Sequence, residues 1–308
     1  MCSSVDKAVV PRGTIYLASR VIIRGDMRLA SFQNAGVDTW GIVEDEEVLD
    51  VGSVLRARFP DLKSLIRATA YEIAVEATRS APRLPLAGLH WLPVIPNPGK
   101  ILCVGLNYEK HRKETGRAEV THPTIFARFA SSQTAHLRNI LRPKVSSNLD
   151  FEGELAVVIG KAGRYIPRAD ALDYVAGYGC YNDGSIRDWQ YHTHQFTPGK
   201  NFPETGAFGP WMMTPDELGP LEGRRIHTRL NDQVVQDALL GEMIFDIPTI
   251  LEYCSSFTRL ECGDVIATGT PGGVGAKRTP PLWMKPGDVV EVEIEGLGAL
   301  RNGIAEES

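Results

Sequence analysis

The sequence predicts an α+β protein dominated by β-structure, with a small N-terminal unit ahead of a larger β-rich one. Three observations carry this. Short runs of β-branched and aromatic residues recur along the chain between turn-forming residues. Only one stretch, near 61–79, carries a sustained helical period. Between the two units lies PRLPLAGLHWLPVIPNPGK (82–100), whose five prolines remove backbone donors and disfavour helix in the residues before them.

Taken in order, residues 1–26 carry Lys7, Arg12, Arg20 and Arg24 but no continuous apolar run of the secretory type, and are expected to be a disordered or non-native extension. Met27 opens a clean strand pattern: Leu29 to Phe32, Thr39 to Val43 and Val48 to Val51 read as strands. After Pro60 and Asp61, the residues Leu62, Leu65, Ile66, Ile73 and Ala77 place one apolar stripe on a helix over 61–79. The small unit is therefore expected over 27–96, followed by an extended, linker-like segment and a boundary near 97. Over 97–308, strands are expected at the start of KILCVGLNY (100–108), at Glu154 to Gly160, at Asp264 to Thr268 and at Asp288 to Glu295. The last of these alternates Val290, Val292 and Ile294 with Glu291, Glu293 and Glu295. Helices are expected to be few, around Ala169 to Val175 and Pro248 to Ser256. No internal repeat or low-complexity tract is visible.

Composition narrows the function. The chain has 33 basic and 38 acidic residues, a formal charge of −5, with neither sign gathered in a run, so no electrostatic footprint for nucleic acid is present. Small-molecule chemistry is expected. Every apolar stretch is interrupted before the roughly 18 residues a bilayer requires, which points to a protein without a membrane span. The five cysteines (Cys2, Cys103, Cys180, Cys254, Cys262) form no C-x-x-C pair, and an odd, scattered set fits a reducing cytoplasm.

Four segments could carry chemistry. In DFEGELAVVIG (150–160), Glu152 and Glu154 stand two apart at the mouth of an apolar strand, so period-two geometry puts both carboxylates on one face. Like charges there call for a cation between them, and oxygen ligands suit Mg2+, Mn2+ or Ca2+; the alternative is a solvent-facing strand edge. In GYGCYNDGSIRDWQ (177–190), Asp183 offers a third hard ligand, or else a turn or helix-capping aspartate. In GLNYEKHRKETG (105–116), His111 and Glu114 would meet on one helical face as a general base or water-activating pair, bracketed by Gly105 and Gly116 as a lid. The alternative is a polar surface helix. TGTPGGVG (268–275) matches neither phosphate-loop pattern, which removes nucleotide binding, although its amides and the Thr270 hydroxyl could hold an oxyanion. Tyr-His-Thr-His (191–194) reads as surface residues.

The order and spacing of GLNYEKHRKE, HPTIFARFASS, DFEGELAVVIGK, AGYGCYNDGSIRDWQ, GKNFPETGAFGPW, LNDQVVQD and GDVIATGTPGGVG resemble the fumarylacetoacetate hydrolase family over about 97–305, with a weaker likeness from Met27. The resemblance implies a mixed β-sandwich roll, usually a homodimer, holding a divalent cation through Glu152, Glu154 and Asp183. It also implies a lysine role at Lys200, substrate contacts from Arg187, Gln190 and Thr270, and a water-activating pair at His111 and Glu114. The chain departs from the family in two places. Lys200-Asn201-Phe202-Pro203 replaces a segment that often carries aspartate, which bears on specificity more than on catalysis. Gly184 replaces an aliphatic residue and is expected to loosen its turn.

The resemblance further implies a 2-oxo acid substrate. The first expectation is C–C hydrolysis of an acylpyruvate-like 2,4-dioxo acid through a metal-stabilised enolate, with Lys200 and Gln190 offsetting oxyanion charge. An oxaloacetate-type decarboxylase or keto–enol isomerase would use the same site. A non-catalytic metal- or oxo-acid-binding protein is the alternative of another class.

Overall fold

A computed structural model describes residues 27–308 of the chain; the extension 1–26 lies outside them. Two facing sheets form the β-sandwich roll. The larger has twelve strands, and its central order is Arg28–Asn34, Gly206–Met213, Val175–Asn182, Gly153–Ile159, Val265–Ala267, Ile101–Gly105 and Thr124–Arg128. The smaller has five strands, built around Arg225–Leu230 and Val289–Ile294. Pairing is mixed: Val265–Ala267 runs antiparallel to Gly153–Ile159 but parallel to Ile101–Gly105.

The strand Gly153–Ile159 is buried along its whole length, as expected of a strand covered on both faces. Its Leu155, Val157 and Ile159 join the core shared with Ile226, Val290, Val292 and Ile294 of the smaller sheet. Ala156 and Val158 face the other way, into a core shared with Leu62, Leu65 and Ile66. Strand Val289–Ile294 alternates half-buried and buried residues, following its Val/Glu alternation.

Several elements differ from expectation. The pattern over 61–79 forms two helices, Leu62–Ala68 and Tyr71–Ala77, because Thr69 turns left-handed at φ 52°. The first begins in a capping box in which Ser64 N–H donates to Asp61 and the Ser64 hydroxyl returns the contact. The strand expected through Val51 ends at Leu49, because Asp50 caps a short helix, Val51–Leu55, by accepting from Ser53 N–H. Within the proline-rich stretch, Arg83–Pro85 pairs with Glu47–Leu49 at the sheet edge, where proline is tolerated, and His90–Trp91 pairs with Arg28–Asn34. The expected helix near 169–175 is a 3-10 turn, Arg168–Tyr174. Among the described residues no helix is long and apolar enough to cross a membrane.

Candidate metal centre and active-site cavity

The carboxylates converge because of strand pairing. Gly153–Ile159 and Val175–Asn182 run antiparallel with Gly153 opposite Asn182, so the residues just beyond that register, Glu152 and Asp183, lie side by side. Asp183 N–H donates to the Glu152 carbonyl at 2.8 Å, and Glu152 N–H to Asn182 Oδ1 at 2.9 Å. One carboxylate oxygen each from Glu152, Glu154 and Asp183 lies within 4.8 Å of the others, and all three side chains are buried. Glu152 and Glu154 therefore do not form a solvent-facing strand edge.

Cations surround the group unevenly. Lys200 Nζ bridges Glu152 Oε2 and Asp183 Oδ2, 2.6 Å from each. Arg187 Nη2 lies 2.6 Å from Glu152 Oε1 and its Nε 2.8 Å from Asp150 Oδ2, while Arg128 Nη1 lies 2.6 Å from Asp183 Oδ1. Glu154 accepts only the Gly269 N–H, at 2.9 Å. The asymmetry appears in the protonation preferences. Burial opposes charge on both glutamates, but Arg187 and Lys200 outweigh it at Glu152 and hold that carboxyl well below its ordinary range. At Glu154 burial is reinforced by Asp183 and Glu152, and the carboxyl is pushed well above it. Three hard oxygen donors, one lacking a side-chain cation partner, suit a divalent cation such as Mg2+ or Mn2+.

Beside this group a cavity of about 360 Å³ is lined by His111, Glu152, Glu154, Arg187, Gln190, Lys200 and Thr270. His111 lies on the short helix Glu109–Glu114 and is 5% exposed, so it is not a surface residue. Its Nδ1 is 2.8 Å from Glu114 Oε1, and Glu114 Oε2 accepts from Gly273 N–H at 2.9 Å, tying the helix to the 268–275 loop. Leu106, between the strand Ile101–Gly105 and this helix, adopts φ 61°, an uncommon conformation for a branched residue, at the cavity wall. Arg187 Nη1 donates to Gln190 Oε1 at 2.8 Å, and Thr270 Oγ1 to the Gly153 carbonyl at 3.0 Å.

Three supporting residues escaped sequence reasoning. Arg128 donates to Asp183, the Gly184 carbonyl and Thr205 Oγ1. Asp150 holds Arg187 and accepts from Gly275 and Ala276 N–H. Gln236 donates to Thr270 Oγ1 and accepts from Gly153 N–H. The usable signal for the first two was a charged residue set among apolar ones, ARFA and LDFE. Gln236 had none. Gly184 does not loosen its turn: a Cβ there would stand 2.0 Å from the Thr205 carbonyl oxygen, so glycine is what lets two backbones meet. Asn201 bonds Phe129 N–H and the Ala127 and Thr197 carbonyls, and does not line the cavity.

The family model for the fumarylacetoacetate hydrolase C-terminal domain matches residues 100–305. The chain belongs to the fumarylacetoacetate hydrolase family. Members of this family similar to the chain include the bovine (Bos taurus) mitochondrial oxaloacetate tautomerase FAHD2A, 39% identical over 225 residues, 72% of either chain. The fumarylacetoacetate hydrolase of Exiguobacterium antarcticum superposes with a TM-score of 0.81 at 34% identity, covering 91% of this chain and all of the other. A maleylpyruvate hydrolase from Sphingobium sp., solved with manganese(II) and pyruvate, gives 0.76 at 28% identity, covering 92% of this chain and all of the other. As a family member the protein is an enzyme.

Proposed function

We propose that the protein interconverts the keto and enol forms of an oxaloacetate-like 2-oxo acid. The observation that carries this is His111 opening, with its Nδ1 held by Glu114, onto the cavity that Glu152 and Glu154 line. An ionised Glu114 keeps the proton on Nδ1, so Nε2 is the free base. His111 then takes a proton from the carbon beside the 2-oxo group onto Nε2 and returns it to the 2-oxo oxygen, which regenerates the neutral imidazole. Only a C–H bond breaks and only an O–H bond forms. Arg187, Gln190 and Thr270 orient the acid, and Lys200 holds Glu152 and Asp183 apart from one another's charge.

Glu152, Glu154 and Asp183 would hold the divalent cation, for which Mg2+ is proposed. When bound it supplies Lewis-acid polarisation and charge neutralisation for the enolate. The likeness to a named oxaloacetate tautomerase supports proton transfer alone as the reaction. The likeness to a maleylpyruvate hydrolase with bound pyruvate supports a second possibility, hydrolysis of an acylpyruvate. There His111 deprotonates a water that adds to the distal carbonyl, the C3–C4 bond breaks with its electrons passing to C3, and pyruvate and a carboxylic acid result.

Among the described residues, the buried cysteines Cys103, Cys180, Cys254 and Cys262 form no disulfide, which fits a reducing compartment such as the cytoplasm, and a homodimer is the expected assembly. The test follows the ultraviolet absorbance of enolised oxaloacetate beside enzymatic detection of released pyruvate, with Mg2+ or Mn2+ and without. Faster approach to keto–enol equilibrium without pyruvate supports the tautomerase; pyruvate from acetylpyruvate supports the hydrolase. Neither signal in the metal-loaded protein would overturn both.

A further inference from the structure

We infer that Arg117 and Lys277 form a clamp for a second carboxylate on the substrate, which makes the enzyme selective for dicarboxylic over monocarboxylic 2-oxo acids. The inference rests on the function proposed above and assigns its specificity to two residues outside the polar network already described.

The cavity contains four lysine or arginine side chains, and they divide into two kinds. Arg187 and Lys200 are buried and committed to Asp150, Glu152 and Asp183 at 2.6–2.8 Å. Arg117 and Lys277 line the same cavity but are exposed, and neither makes an ion pair among the described residues. They come from separate segments. Arg117 follows the helix Glu109–Glu114, with its carbonyl fixed by Arg112 Nη1 at 2.8 Å, and Lys277 ends the turn Gly275–Lys277. Those segments are joined by the bond from Gly273 N–H to Glu114, so both cations are placed at the rim by the contact that orients His111.

Among the described residues, the only carboxylates lining the cavity are Glu152 and Glu154, both buried. A monoanionic 2-oxo acid would spend its one charge there, on the head-group residues. Two further unpaired cations at the rim match an anion with a second charge at its far end. Salt screens such exposed charges at long range, so they act on a carboxylate held in contact with them in the cavity, where the Arg117 guanidinium can offer a fork and Lys277 a point charge.

The test is calorimetric titration of the Mg2+-loaded full chain with 2-oxoglutarate and with 2-oxobutyrate, compared across wild type, R117E, K277E and the charge-conserving K277R. Either reversal should weaken 2-oxoglutarate at least tenfold while 2-oxobutyrate stays within twofold, and K277R should bind as wild type does. Kinetics on oxaloacetate should show the same loss in KM with little change in kcat. Equal weakening of both ligands, or no weakening of either, overturns the clamp. Because binding is read directly, this holds even if no oxaloacetate turnover is found, an outcome that would instead remove the proposed reaction.

Discussion

Arg128 Nη1 stands 2.6 Å from Asp183 Oδ1, and neither side chain has any exposed surface. The guanidinium also donates to the Gly184 carbonyl at 2.9 Å and to Thr205 Oγ1 at 2.9 Å. Removing one partner of such a pair leaves an uncompensated buried charge, which costs about 3–5 kcal/mol. R128M should lower the unfolding free energy by about that amount, measured by urea denaturation of metal-free protein. R128K should recover only part, since one ammonium cannot reproduce the guanidinium fork. Wild-type stability in R128M would show that Asp183 does not depend on this partner.

Glu154 predicts how metal binding responds to pH. Its carboxyl is pushed well above the ordinary range by burial, Asp183 and Glu152, so the folded protein binds a proton there that the unfolded chain releases. The metal-free protein must therefore lose stability as pH rises above the ordinary glutamate value and through the raised one. A cation must displace that proton. Calorimetry in buffers of different ionisation enthalpy should show about one proton released per ion, with affinity rising about tenfold per pH unit below the raised value. E154Q should abolish the release, weaken the ion, and make the metal-free protein more stable than wild type at alkaline pH. Unchanged proton release in E154Q would contradict the assignment.

His111→Asn and Glu114→Gln should each lower kcat by about 10²–10⁴ while leaving Mg2+ affinity within a few fold. The comparison separates proton transfer from ion binding. Turnover unchanged in both variants would overturn the role given to this pair.

His136 gives a second pH signature, remote from the carboxylates. It stacks edge-on against Trp91 with centroids 5.2 Å apart and accepts the Arg301 N–H at Nδ1. Burial and the Arg301 charge lower its pKa from 6.5 to about 4. A depressed imidazole contributes stability that is complete above pH 6.5 and is lost as pH falls toward 4. His136→Asn, which keeps an acceptor near the Nδ1 position, should flatten that limb of the stability curve. Thermal melts between those two pH values will show it.

G184A should destabilise the protein, because its new methyl would meet the Thr205 carbonyl oxygen at 2.0 Å, a backbone atom that cannot swing aside. Overpacking of this kind costs about 1–3 kcal/mol, readable as a drop in melting temperature.

Much of the site was legible because its chemistry lies in side chains of unusual type for their position. Glu152 and Glu154 interrupt an apolar strand, and their shared face follows from the two-residue period that the structure keeps. The His111–Glu114 contact follows from helical spacing over only six residues. Arg128 and Asp150 were harder to see, since their partners lie 55 and 37 residues away and only the sheet brings them together. The helix break at Thr69 was hidden because apolar spacing continues across it. Gly184 was misread because the constraint on it comes from Thr205, a neighbour in space that turn chemistry does not reveal.

The strand Val265–Ala267 sits between Gly153–Ile159 and Ile101–Gly105 in the large sheet, although it is far later in the chain than either. A nascent chain on the ribosome therefore holds the carboxylate-bearing strands and the segment leading to His111 as two unjoined pieces of sheet. Within the sheet, their strands are joined only when this late strand emerges. A chain that stops before this strand also lacks Gly269 and Gly273, whose amides hold Glu154 and Glu114, so the last part of the chain to be made is the one that fastens both halves of the site.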